Sequence, residues 1–128
     1  MSAAHRREEG TRHILDRIGD RWTVLIVVAL RDGSVRFSEL RRRVEGISQK
    51  MLTQTLRGLE RDGIVRRTVY PEVPVRVEYT LTEAGRTLCE PLSALEEWSI
   101  AHLGDVSAAQ ESYDRAHRPP ADSTDRDK

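Results

Sequence analysis

Between Ser38 and Gly63 the chain sets two helix-forming segments on either side of a glycine turn, and past Gly63 the residue period changes. That switch from helical spacing to strand-like alternation restricts the fold more than any other feature. Ser38 is placed to cap Glu39-Leu40-Arg41-Arg42-Arg43-Val44, Glu45-Gly46-Ile47 makes the turn, and Ser48 caps residues 49–62. A serine at a helix start accepts from a free backbone N–H, and a glycine supplies the left-handed residue at which a helix stops. Helix, short turn and helix form a helix-turn-helix unit. Residues 64–70 and 75–81 are β-branched and aromatic, and Pro71-Glu72-Val73-Pro74 joins them. The expected product is a hairpin with a stiff tip.

Upstream, Ile14, Leu15 and Ile18 recur at helical spacing until Gly19, and Asp20 is a suitable N-cap for a second helix running through Trp22 toward Gly33. The run Val24-Leu25-Ile26-Val27-Val28 also reads as a buried strand. Residues 20–31 are too long a unit for most strands, which favours a central, enclosed helix. Downstream, Thr82 caps a last helix with Gly85, Leu88, Leu92, Leu95, Trp98, His102 and Leu103 along one side, and Pro91 should bend or break it. Helix, helix, helix-turn-helix, hairpin and long helix, in that order, make a winged helix-turn-helix. The fold class is mainly α with a small β-hairpin. The expected domains are a loosely held arm over 1–10, the winged domain over 11–103, and a polar tail over 104–128, largely disordered from about 115.

A chain of 128 residues with 38% hydrophobic content supports one modest core. No apolar run nears the ~20 residues of a membrane span, and the N-terminus has no apolar signal core, so a cytoplasmic location without membrane contact is expected. The single cysteine, Cys89, leaves no disulfide framework or multi-cysteine zinc site. The four histidines are dispersed, Glu96 and Glu97 diverge as helix neighbours, and no metalloprotease, phosphate-loop or dinucleotide motif is present. The chain therefore reads as a non-enzyme with no cofactor, no metal and no catalytic residue.

The net charge is zero, but it is segregated. Residues 36–76 hold ten Lys/Arg and five Asp/Glu, whereas 77–114 hold one arginine and eight acids. A basic face beside an acidic region fits a nucleic-acid partner better than the total charge does. On a helical wheel of 49–62, Leu52, Leu56 and Leu59 seat the helix, while Lys50, Gln54, Arg57 and Arg61 project opposite, with Gln49 and Thr53 on the flank. These outward side chains are the ones that read base edges in a major groove. The residues of the first half reach deepest, so Gln49, Lys50, Thr53 and Gln54 are the readers and Arg57 a base or phosphate contact. Ser38 and Ser48 begin helices whose free N–H groups hold phosphate. Arg76, just past the proline tip, is placed to enter a minor groove or meet a phosphate beside it. Of Arg66 and Arg67, which face opposite sides of one strand, at most one points at DNA.

Leu88, Leu92, Leu95 and Leu103 form a stripe with Trp98 and His102 at its margin. A second copy of the chain would cover it, with Leu88, Leu92, Leu95 and Trp98 at the interface. Covering the chain's own Trp22 helix is the other use of that stripe, and both are compatible. Trp22 and Trp98, near the presumed dimer junction, are a candidate pocket for a small apolar effector. The competing reading from another class is a winged-helix protein-interaction module that binds no DNA.

Five ordered motifs carry a family resemblance: Gly-Asp-Arg-Trp-Thr (19–23), Arg-Phe-Ser-Glu-Leu (36–40), Gly-Ile-Ser-Gln-Lys-Met-Leu-Thr (46–53), Leu-Glu-Arg-Asp-Gly-Ile-Val-Arg-Arg (59–67) and Tyr-Pro-Glu-Val-Pro-Val-Arg-Val-Glu-Tyr-Thr-Leu-Thr (70–82). From about Ile14 to Trp98 the chain resembles the HxlR-type bacterial transcription regulators, winged-helix proteins related to the MarR group. The resemblance implies a homodimer, built from N- and C-terminal helices, on a roughly palindromic double-stranded operator near a regulated gene. Many members carry a cysteine just before the first helix, and in some it senses oxidants or electrophiles; here that stretch is Ala3-Ala4-His5-Arg6-Arg7. The family's usual thiol switch is therefore not expected, and Cys89 is expected to pack rather than react.

Overall fold

Nine elements follow one another in the computed structural model, which describes residues 3–119: α1 (Ala3–Gly19), α2 (Arg21–Ala29), β1 (Val35–Arg36), α3 (Phe37–Arg43), α4 (Gln49–Arg61), β2 (Val65–Tyr70), β3 (Arg76–Leu81), α5 (Glu83–Thr87) and α6 (Cys89–Ala116). The chain divides after Leu92, so the first unit runs from α1 to the first turn of α6 and the second is carried by the rest of α6.

Helix wins over strand at residues 24–28. Asp20 caps α2 by accepting the Trp22 N–H at 2.8 Å, and Ile26 and Val27 are completely buried. Propensity yields here to the cap and to burial on several sides of the helix. α4 starts as expected, with Ser48 Oγ accepting the Met51 N–H at 3.0 Å. Its leucines 52, 56 and 59 are at most 1% exposed and meet Ile26, Val27 and Leu30 of α2, Leu40 and Val44 of the α3 segment, and Val65, Tyr79 and Leu81 of the sheet in one core. The turn between α3 and α4 uses Gly46 at φ +89°, a backbone state that disfavours any side chain.

Several expectations are corrected. Ser38 is not a cap: it lies inside α3, whose cap position is Arg36, with no side-chain hydrogen bond. The hairpin is part of a three-stranded antiparallel sheet in the order β1-β3-β2, because Val35 and Arg36 pair with Tyr79 and Glu78. A two-residue strand carries no period for a sequence pattern to detect. The last helix is two helices, and the break falls at Leu88 rather than at Pro91. Pro91 is the third residue of α6, where a missing N–H leaves no helical bond unmade. Thr82 caps α5 by accepting the Gly85 N–H at 3.0 Å and donates to the Gly63 carbonyl at 2.5 Å, tying the hairpin base to the end of the α4 turn. Gly85 itself rests on the Ile64 carbonyl oxygen so closely that a Cβ there would collide with it.

The arm expected over 1–10 is helical from Ala3 onward, and the expected tail is helical as far as Ala116. Both stretches are polar enough to look unstructured, yet their spacing still permits a helix. The disorder expected from about 115 bears mostly on residues 120–128, which lie outside the described residues. Among the described residues no helix is long and apolar enough to cross a membrane.

The stripe assigned to a partner copy is divided. Leu92 is 2% exposed inside the core of the first unit, and Leu88 and Cys89 pack against that core. Leu92 is thus not free for an interface as expected, while Leu88 is half-buried. Leu95, Trp98 and Leu103 in the second unit are 58%, 55% and 65% exposed.

Candidate nucleic-acid interface

The two sides of α4 separate cleanly. With the leucines inward, Gln49, Lys50, Gln54 and Arg57 are exposed and Thr53 is half-buried at the flank. Among the described residues no ion pair holds Lys50 or Arg57, so both cations are available to a ligand. The expected readers therefore occupy one outward surface of one capped helix.

The supporting elements sort the arginines. Glu39 takes Arg42 at 2.5 Å and Arg43 at 3.2 Å, and Arg43 also donates to the Ala29 carbonyl at 3.1 Å. The Arg42 hydrogen bond, backed by Arg43, holds the Glu39 carboxyl below its ordinary value. Two members of the triplet thus tie α3 to itself and to α2. Arg41, exposed and outside this network, shares a surface depression of about 490 Å³ with Phe37, Ser38, Arg42 and Gln49. Ser38 therefore reaches the expected surface as a hydroxyl beside Arg41 and Gln49, although it caps no helix.

Sequence reasoning left the choice between Arg66 and Arg67 open. Arg67, opposite Tyr79 in the register, lines a cleft of about 380 Å³ with Thr53, Leu56, Arg57 and Glu60 of α4. The signal was strand parity: Arg67 lies two residues from Val65, which is buried under the same face.

Arg76 is paired within the wing. Its guanidinium donates to Glu72 at 2.8 Å and to Glu78 at 2.5 Å, and it stacks over the Tyr70 ring at 3.8 Å. The Glu72 hydrogen bond leads the causes that raise the Arg76 pKa, and the same bond lowers that of Glu72. A cation this well neutralised braces the wing and offers little field to a phosphate. Around it the wing tip is apolar, with Val73 and Val75 exposed.

Trp22 belongs to the first unit and Trp98 to the second. Trp22 is half-buried beneath the Arg21 guanidinium, 4.3 Å from its ring centroid. Trp98 stacks on His102 with centroids 4.4 Å apart, and His102 Nδ1 lies 2.9 Å from the Trp98 carbonyl oxygen.

Comparison with known proteins agrees with this geometry. Residues 17–107 match the model of the HxlR-like helix-turn-helix family. YtfH of Escherichia coli, described as an uncharacterized HTH-type transcriptional regulator, is 46% identical over 101 residues, covering 79% of this chain and 80% of that protein. Among solved structures, the ytfH regulator of Salmonella typhimurium is 48% identical with a TM-score of 0.72, covering 79% of this chain and 90% of that one. The redox regulator HypR in its reduced form is 42% identical with a TM-score of 0.71, covering 77% and 98%. The matched region contains α4, the sheet and α6 as far as residue 107. Membership sets aside the reading as an interaction module without DNA binding, and the family is not one of enzymes. The chain belongs to the HxlR-like helix-turn-helix family and is a winged-helix, DNA-binding transcriptional regulator.

Proposed function

We propose that the protein acts as a homodimer on a pseudo-palindromic double-stranded operator, with the first half of α4 in the major groove. Gln49, Lys50, Thr53 and Gln54 read base edges, and Arg57 contacts a base or its phosphate. Arg41 and Arg67 flank them as phosphate contacts, Ser38 and Ser48 lie at the same surface, and the hairpin 64–81 rests on the neighbouring groove with its Arg76 already paired. The observation that carries this reading is the exposed amide and cation surface of α4, which has no side-chain partner among the described residues and is seated by three buried leucines.

The dimer is supported by Leu95, Trp98 and Leu103 of α6 and by Ile14 and Leu15 of α1, apolar residues that are all more than half exposed. Two-fold pairing covers such surfaces and places two recognition helices one DNA turn, ~34 Å, apart. Selection from a random duplex library followed by fluorescence anisotropy tests the reading. It predicts a two-half-site operator and a salt slope of roughly −0.9 for each phosphate neutralised. The triple variant Lys50→Ala, Gln54→Ala, Arg57→Ala should abolish specific binding; unchanged operator affinity in that variant would remove α4 as the reader.

A further inference from the structure

The far end of α4 holds an arrangement that its reading surface does not require. Asp62 occupies the C-cap, where unpaired carbonyls make the local field negative and a carboxylate is disfavoured. Two side chains of α1 converge on it. Arg17 Nε donates to Oδ2 at 2.7 Å, and His13 Nε2 lies 3.2 Å from Oδ1. The Asp62 side chain is only 13% exposed and that of Arg17 26%. Burial pushes the Asp62 carboxyl up, and the hydrogen bonds and charges of Arg17 and His13 outweigh it, leaving the group below its ordinary value.

One turn earlier, Gly58 lies under the same guanidinium. A Cβ on Gly58 would come to 2.7 Å from Arg17 Cζ and 2.8 Å from Nη2. Glycine inside a helix is less favourable than alanine. Two unfavourable choices in α4, a mid-helix glycine and a C-cap carboxylate, are thus explained by one side chain of α1.

We propose that Arg17, Gly58 and Asp62 form a strut that fixes the direction of α4 against α1, making Arg17 a positioning residue for the operator half-site separation the homodimer accepts. The proposal rests on the reading above, in which α4 enters the major groove and α1 carries part of the two-fold contact. Leu15, on the side of α1 away from His13 and Arg17, is 60% exposed and available to a second copy. The strut therefore links a dimer-facing helix to the reading helix. Lys50 and Gly58 are separated by about 12 Å along α4. A tilt of about 10° at the strut moves the reading side chains by about 2 Å, beyond what a two-point base contact tolerates.

The test uses the full chain and duplexes whose half-sites are moved by one or two base pairs from the selected separation. Each base pair turns one half-site by about 35° relative to the other. Wild type should lose at least about thirtyfold in affinity per base pair of change, and Arg17→Ala, Asp62→Asn and Gly58→Ala should each flatten that loss to under about fivefold. Charge alone predicts opposite affinity changes for Arg17→Ala, which removes a cation, and Asp62→Asn, which removes an anion. The strut predicts the same flattening in both. Gly58→Ala alters no charge and favours the helix, so its melting temperature should hold or rise while spacing discrimination falls. The proposal is overturned if these variants keep the wild-type profile, or if Gly58→Ala loses discrimination only as its melting temperature drops. Loss of binding in the Lys50, Gln54, Arg57 triple variant beside intact profiles in the strut variants rejects the strut alone. Operator affinity that survives the triple variant, or wild-type affinity indifferent to separation, rejects the recognition reading and the strut with it.

Discussion

Helices α4 and α6 both carry apolar residues at helical spacing, but among the described residues the leucines of α4 are all covered and the large apolar residues of α6 past Leu92 are not. In α4 the leucines are at most 1% exposed and the opposite side is polar, so one helix serves the core on one surface and, as proposed, the operator on the other. In α6 the last core residue is Leu92, and Leu95, Trp98, Ile100 and Leu103 after it are all more than half exposed. The difference teaches that an apolar stripe reports a need for cover without naming the cover. In α4 it is intramolecular; in α6 a second copy is the proposed one.

The largest effect should come from Leu56→Ala, which opens a cavity under α4 and should lower stability by about 2–5 kcal/mol in urea unfolding. Trp98→Ala should behave oppositely, leaving dilute-solution unfolding nearly unchanged and weakening self-association in sedimentation velocity. An equal stability loss at all concentrations for Trp98→Ala would erase the contrast between the two helices. Next comes Gln54→Ala, which should cost about 1–3 kcal/mol at the selected operator, relax base preference and leave the melting temperature alone. Ser48→Ala removes the α4 cap and should cost about 0.5–2 kcal/mol of stability in thermal unfolding.

A smaller effect is set by pH. The folded-state pKa of Asp62 is depressed, so its contribution is complete above the ordinary carboxylate value of 3.8 and disappears as pH falls through the lower, folded value. The stability gap between wild type and Asp62→Asn should be flat near neutrality and close in acid; a gap that widens in acid contradicts the assignment. Smallest of all is Arg76→Ala, which should change operator affinity by less than about threefold in anisotropy titrations, because the cation is already paired with Glu72 and Glu78. A uniform large loss across sequences would return Arg76 to the phosphate.

Much of this was legible from local chemistry. Asp20, Ser48 and Thr82 all cap the helices their sequence contexts propose, because a cap needs only a short polar side chain and a following helix. The exposed polar surface of α4 was legible because its strong amphipathicity leaves one seating. Ser38 failed as a cap because β1 pairing with β3 draws residues 35 and 36 into the sheet and starts α3 at Phe37. Half of the pairing of Arg76 was open to strand parity, since Glu78 lies two residues on in β3, but Glu72 reaches it only through the fold-back of the tip.

The amino-acid order alone determined where three of the helices begin and which side of α4 is apolar, because those properties depend on neighbours within four residues. The tertiary structure decided which arginines remain free, which apolar residues of α6 stay uncovered, and why Gly58 and Asp62 stand in α4. Those outcomes depend on pairs such as Arg17 with Asp62 and Arg67 with Tyr79, far apart along the chain and joined only once the core leucines bring their elements together.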